Sequence, residues 1–177
     1  MLELDVNLVR IAILYGTLGF LFATGVVASK STSTEPQAAA EAGDMDAQFN
    51  LAVEYMKRED PEVALKWFLA AADKGHAEAQ LSLGLIYSYG IGVAENDAEA
   101  VKWYRKAAEL GHAGAQFNLG VMYENGQGVV ENYVDAVKWY RKAADQGDAN
   151  AQFQLGVMYD YGQGVVENDV EAVNWYR

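Results

Sequence analysis

The feature that most constrains the fold of this chain is a 36-residue unit that recurs along most of its length. The segment Ala-Gln-Phe-Asn-Leu-Gly-Val-Met-Tyr at 115–123 returns at 151–159 with one change, and 79–87 is a looser copy. Periods of this size are typical of solenoids, in which each unit buries its apolar face only against its neighbours. Four tryptophans mark the repeat, each 36 residues from the next: Trp67, Trp103, Trp139 and Trp175.

Each unit has the apolar spacing and end signals of two helices. Its second half carries an apolar stripe at i, i+3, i+4, i+7 and i+8, seen in Ala100, Trp103, Tyr104, Ala107 and Ala108. This spacing predicts that the tryptophans belong to the core. Asn96 with Glu99 predicts a helix start, and Asp60 before Pro61 predicts another. Three glycines are expected to end the second helices: Gly75, Gly111 and Gly147.

Other glycines recur in two further places. Gly84, Gly120 and Gly156 lie inside the first helices, where each costs about 1 kcal/mol relative to alanine, so we expect close approach of a neighbouring helix. Gly-x-Gly occurs at 90–92, 126–128 and 162–164, between the helices. A phosphate-binding loop would need a preceding strand and a longer fingerprint, so these glycines are interpreted as turns.

Together these motifs resemble the Sel1-like repeat, a relative of the tetratricopeptide repeat with a longer, glycine-containing loop. Ala-Gln-x-x-Leu-Gly-x-x-Tyr, Gly-x-Gly-Val, Ala-Val-x-Trp-Tyr and Lys-Ala-Ala occur in that order. The resemblance implies an all-α fold, a right-handed α-solenoid of helix-turn-helix repeats. We expect the repeat domain at 44–177, divided into 44–76, 77–112, 113–148 and 149–177.

The two end units depart from the pattern. The first has Ala52 at the glycine position, Phe68 for the tyrosine and no Gly-x-Gly, as expected of a capping repeat. The last stops at Arg177 without Lys-Ala-Ala, which leaves its apolar stripe uncovered. Three interpretations remain open: a fragment of a longer array, which we favour, a frayed last repeat, or oligomerisation through this uncapped end.

Residues 1–28 are expected to form a signal peptide or an N-terminal membrane anchor. Residues 11–28 are apolar or small throughout, and as a helix they would span about 27 Å, close to the thickness of a bilayer core. Val26-Val27-Ala28 before Ser29 has the pattern of a signal cleavage site, but an uncleaved anchor is equally compatible. Residues 29–43, rich in Ser, Thr and Ala, are expected to be a flexible linker. The expected location is the bacterial periplasm or envelope.

Composition and charge exclude several classes of function. The chain has no cysteine, so it holds no disulfide and no thiolate metal site. Its net charge of −12 argues against a nucleic-acid partner, because a basic surface supplies most of that affinity. The basic residues of the second helices, such as Lys102, Arg105 and Lys106, are interpreted as a solvated face. Glu99–Lys102 and Asp135–Lys138 are expected to pair at i, i+3.

No pattern in the sequence indicates catalysis. His76 and His112 occupy the same position in successive units, and Asp148 occupies it in the next, so they are interpreted as turn elements. No third ligand at familiar spacing accompanies the two histidines, and no serine lies in a nucleophile-elbow motif. We therefore predict no enzyme activity, no cofactor and no metal.

The resemblance implies a non-enzymatic adaptor for protein–protein interaction, in assemblies at a membrane or envelope. Specificity is expected at first-helix positions that differ between otherwise copied repeats. The candidate partner-binding residues are Tyr89, Asn118, Glu124, Gln154, Asp160 and Tyr161. Two alternatives remain: a binder of cell-wall fragments or related small molecules, and a structural spacer within a longer array.

The leader analysis makes a prediction about the mature chain. Expressed with residues 1–28 intact, the protein is expected either in a soluble exported fraction with a mass that starts at Ser29, or at full length in the membrane fraction. Cell fractionation followed by intact-mass measurement decides between a free and a tethered protein. Full-length protein in the cytosolic fraction would contradict export.

Overall fold

The computed structural model describes residues 35–177, which form an all-helical chain of consecutive hairpins, an α-solenoid, with no strand in that range. The leader predicted at 1–28, and residues 29–34 of the linker, lie outside the described residues. The helices are α1 Glu35–Glu41, α2 Met45–Lys57, α3 Pro61–Ala72, α4 Ala77–Tyr89, α5 Asp97–Glu109, α6 Ala113–Asn125, α7 Tyr133–Ala144, α8 Ala149–Tyr161 and α9 Asp169–Trp175.

The first helix of every repeat begins with a side-chain cap. His76 Nδ1 accepts the Ala79 N–H at 3.2 Å, and Asp148 Oδ1 accepts the Ala151 N–H at 2.9 Å. His112 and Asp44 cap their helices in the same way. Histidine and aspartate exchange at this position because each offers an acceptor to an otherwise unpaired N–H of the first turn. The interpretation of the histidines as turn elements is therefore confirmed.

The predicted first and last residues of the second helices are also confirmed. Asn96 Oδ1 accepts the Glu99 N–H at 3.1 Å, and Asp60 caps α3, which begins at Pro61. The glycines that follow the second helices all have left-handed φ angles, near +90°, which other residues adopt only under strain: Gly75, Gly111 and Gly147. The Gly-x-Gly segments form turns, each with its first glycine as a left-handed cap, as at Gly126.

Helix α1 occupies part of the segment for which the sequence predicted a flexible linker. Residues 38–44, Ala-Ala-Ala-Glu-Ala-Gly-Asp, parallel the end of α3 at 70–76, Ala-Ala-Ala-Asp-Lys-Gly-His. Gln48 Nε2 donates to Ala40 O at 3.0 Å, as Gln80 Nε2 donates to Ala72 O at 3.0 Å. The segment is helical because α1 packs on the first repeat in the way that each second helix packs on the next repeat.

The core is a row of clusters that each join the second helix of one repeat to the first helix of the next. Phe68 of α3 shares a cluster with Leu83 of α4, and Tyr140 of α7 shares one with Leu155 of α8. Trp103 is buried in the first cluster, and the other three tryptophans are half-buried against the clusters, which confirms them as core residues. Each repeat is therefore stabilised by its neighbours.

In the second, third and fourth repeats, a tyrosine ring of the second helix lies against a glycine of the first helix. The Tyr140 ring packs on Gly120, and a Cβ placed there would lie 2.6 Å from the ring carbons. Tyr104 packs on Gly84 and Tyr176 on Gly156 with the same geometry. The prediction of close helix approach at these glycines is confirmed.

Substitution of Gly120 by alanine tests this contact. The gain in helix propensity is about 1 kcal/mol, but displacing a buried ring costs more, so we expect a net loss of about 1–2 kcal/mol in the free energy of unfolding. Gly114→Ala in the same helix is the matched control. Its Cβ would meet no neighbouring atom closer than 3.4 Å, so it is expected to be neutral or stabilising. Urea unfolding of both variants gives the comparison, and equal stabilities would contradict the prediction.

Candidate protein-binding surface

The candidate residues lie on α4, α6 and α8, the first helices of the second, third and fourth repeats. Their accessibility increases along the chain. Tyr89 is half-buried at the end of α4 and packs against the second core cluster, whereas its equivalent Tyr161 is 71% exposed. The usable part of the predicted surface is therefore on α6 and α8.

Glu124 and Asp160 each accept a hydrogen bond from the tyrosine that packs on the glycine of their repeat. Tyr140 Oη donates to Glu124 Oε2 at 2.5 Å, and Tyr176 Oη donates to Asp160 Oδ2 at 3.3 Å. Glu124 therefore has a structural role, because the Tyr140 hydroxyl would be costly to bury without a partner, whereas Tyr176, the donor to Asp160, is 43% exposed. Asp160 remains exposed, and Glu124 is half-buried.

Asn118 and Gln154 are half-buried at a position where the second repeat has a buried residue. Asn118 Nδ2 donates to Gly114 O at 2.9 Å within its own helix. Ser82, the equivalent in α4, is 2% exposed, and its hydroxyl donates to Glu78 O at 2.8 Å. Of these three equivalent positions, only those of the third and fourth repeats are partly accessible.

The basic residues of the second helices were predicted to form a solvated face, but some of them also make specific contacts. The expected pairs are present, with Lys102 Nζ 2.5 Å from Glu99 Oε1. Beyond these pairs, Arg105 Nη2 donates to Tyr123 Oη of the next repeat at 2.7 Å, and Lys106 Nζ lies 3.9 Å above the Trp103 ring. The recurrence of arginine 18 residues before a tyrosine was a signal in the sequence for this link between repeats.

Burial raises the pKa of Tyr104 and Tyr140 well above the usual value of a tyrosine. For Tyr140 the hydrogen bond to Glu124 and the charge of that carboxylate raise the pKa further. Both phenols are therefore held neutral in the folded state.

The described residues offer neither a metal centre nor a membrane span. Within 35–177, no three histidine or acidic side chains are placed to hold a metal ion. Over the same range, no helix combines the length and apolar character required to cross a bilayer. The segment predicted to enter a membrane, 11–28, lies outside this range.

The repeated hairpins with their glycine contacts match a known repeat family. The profile of the Sel1 repeat matches the chain four times, at residues 46–76, 77–112, 113–148 and 149–177. The chain belongs to the Sel1 repeat family. Proteins with this repeat generally act as protein–protein interaction scaffolds.

Solved Sel1 repeat structures resemble the chain closely. The uropathogenic Escherichia coli protective antigen c5321 is 36% identical, with a TM-score of 0.82 over 99% of this chain and 40% of that one. A Sel1 repeat protein from Oxalobacter formigenes is also 36% identical, with a TM-score of 0.72 over 79% of this chain and 42% of that one. The chain thus spans about two fifths of the length of these relatives.

A more distant structure is that of cysteine rich protein B from Helicobacter pylori. It is 26% identical, with a TM-score of 0.52 over 66% of this chain and 84% of that one. Comparison with curated protein sequences gave no significant match.

The buried tyrosines predict how stability depends on alkaline pH. Unfolded tyrosine loses its proton near pH 10, whereas Tyr104 and Tyr140 keep theirs while folded. Their contribution to the free energy of unfolding is therefore fully present below about pH 10 and is lost as the pH rises. Above that pH, each of these tyrosines adds about −1.4 kcal/mol per pH unit to the slope of the free energy of unfolding against pH.

Tyr140→Phe is expected to remove one such slope. At neutral pH it lowers the free energy of unfolding by about 1 kcal/mol through the lost hydrogen bond to Glu124. Urea unfolding of wild type and variant between about pH 9 and 11.5 compares the two slopes. Identical alkaline slopes would show that the Tyr140 phenol ionises freely in the fold.

Proposed function

We propose that this Sel1 repeat chain is a non-enzymatic scaffold that docks a protein or peptide on the surface of its first helices. The observation that carries the proposal is the pattern of differences between copies. α6 and α8 repeat nearly residue for residue. Besides Gly114/Asn150 in the first turn, they differ at Asn118/Gln154, Glu124/Asp160 and Asn125/Tyr161, and the side chains of these three pairs are at least partly accessible.

The chemistry of this surface suits a polar partner with an aromatic anchor point. Asn118 and Gln154 offer amide groups that both donate and accept hydrogen bonds, and Asp160 offers an exposed carboxylate. Tyr161 is 71% exposed, and tyrosine is among the residues that contribute most to binding energy at protein interfaces. A peptide with hydrogen-bonding side chains and a cationic residue near Asp160 fits this set.

The proposal places the scaffold outside the cytoplasm, exported or tethered to a membrane in a bacterial envelope. Its support is the apolar stretch at 11–28, which is long enough to cross a bilayer as a helix. The two relatives at 36% identity are bacterial, and the one from Escherichia coli is a protective antigen.

Site-specific photocrosslinking in cells of the source organism tests the docking surface. A benzophenone amino acid in place of Tyr161 is expected to give a discrete crosslinked protein, because this exposed side chain lies on the proposed face. The same probe at Glu109, an exposed residue of the second helix α5, is the matched control and is expected to give no such product.

The combined substitution Asn118→Ala with Gln154→Ala is expected to weaken the Tyr161 crosslink about tenfold. Truncation of residues that anchor an interface typically lowers the affinity by about this factor. Neither amide bonds another helix in the described chain, so the fold is expected to remain intact. An identical crosslinked product from Tyr161 and Glu109, or none from either, would overturn the proposal.

A further inference from the structure

Four valines of the third and fourth repeats lie exposed along one edge of the solenoid. Val130 and Val166 follow the Gly-x-Gly turns, and each is 87% exposed. Val134 and Val170, four residues later in the first turn of the second helices, are also exposed. We call Val130, Val134, Val166 and Val170 the valine edge.

The valine edge is continuous from one repeat to the next. The turn that carries Val166 packs on the start of α7, where a Cβ placed at Gly164 would lie 2.8 Å from Val134 N. Gly164 has a φ of +69°, so both its backbone shape and this close approach require glycine. The turn before Val166 therefore lies against the helix start that carries Val134, which brings the two pairs of valines to adjacent segments although 36 residues separate them in the sequence.

The fold does not require valine at these positions. The second repeat has Ala94 and Ala98 there, and its helices, caps and turns are the same. Exposed branched side chains contribute little to the core, and contiguous exposed apolar patches mark interaction surfaces. The change from alanine to valine in two successive repeats therefore indicates binding rather than folding.

Acidic side chains flank the valine edge. Glu131, Glu167 and Asp169 are exposed beside the valines, and within residues 35–177 no cation lies within ion-pair distance of them. Val166 also lines an open cleft of about 570 Å³ together with Tyr159, Glu171 and Trp175, and with Arg141, whose guanidinium donates to Tyr159 Oη. Apolar contacts framed by negative charge suit a segment that carries both aliphatic and basic residues.

We propose that the valine edge is a second docking surface, which binds a basic, aliphatic segment of a partner protein. Aliphatic side chains of the segment pack on the valines, and one of them enters the cleft beside Trp175. Its lysines or arginines face Glu131 and Glu167. An anionic membrane is not the occupant, because the acidic flank and the net charge of −12 repel it.

The test uses the full chain and two fluorescent peptides of about ten residues, one of alternating leucine and lysine and one with serine for leucine. Fluorescence anisotropy measures binding. Replacing all four valines by alanine is expected to weaken the leucine peptide about tenfold and to leave the serine peptide unchanged. Ala94 and Ala98 show that alanine is compatible with the fold, and circular dichroism checks this.

Charge is tested with Glu131→Gln combined with Glu167→Gln. This variant is expected to weaken both peptides about threefold at ~20 mM NaCl, and the effect should shrink at ~300 mM as the charges are screened. If the fourfold alanine variant loses helicity, the pairs V130A/V134A and V166A/V170A are measured separately.

Two results would overturn the proposal. One is equal affinity of wild type and the valine variants for the leucine peptide. The other is an equal loss of affinity in Asn118→Ala with Gln154→Ala, which would locate the peptide on the first-helix surface instead.

Discussion

The contact between a tyrosine ring and a glycine of the partner helix determines the geometry of the hairpin in the second, third and fourth repeats. Gly120 accepts the Tyr140 ring where any side chain would collide, so the two helices of the hairpin approach closely in one register. In that register the Tyr140 hydroxyl donates a hydrogen bond to Glu124, and this bond offsets the cost of burying the hydroxyl. The loss of helix propensity at each glycine is the local cost of a contact that fixes the hairpin.

Neighbouring repeats are joined by three kinds of contact that recur with the period. Apolar clusters unite the second helix of one repeat with the first helix of the next. Gln116 Nε2 donates to Ala108 O across this junction, and Arg105 binds Tyr123 further along it. Because α1 supplies Ala40 to Gln48 in the same way, the first repeat has the neighbour that its apolar face requires. Stability is therefore a sum over repeats and junctions, as expected of a solenoid.

The sequence predicted the helices, caps and turns because their signals are local and are repeated three or four times. Asn96 with Glu99, or glycine after a run of alanine, carries its meaning within a few residues. The sequence did not predict helix α1, because its only helical signal is the Ala-Gly-Asp segment at 42–44. The tryptophan that marks every later second helix is missing there. The role of Glu124 could not be predicted either, since it depends on the hydroxyl of Tyr140, which lies 16 residues away in the other helix of the hairpin.

Copying of one module is the reason that both interaction surfaces are proposed where the copies differ. A residue in the core or at a junction must fit the same neighbours in each copy, so alanine, glycine and tyrosine recur there unchanged in the second to fourth repeats. A residue that faces solvent is free of that requirement, and its chemistry is available for a partner. The first-helix surface differs in polar groups, at Asn118 and Gln154. The valine edge instead gains apolar area in the third and fourth repeats, where Val130 and Val166 replace Ala94 in a turn of the same shape. The two proposed surfaces therefore differ in chemistry, one polar and one apolar with an acidic flank, so the partners proposed for them differ in kind.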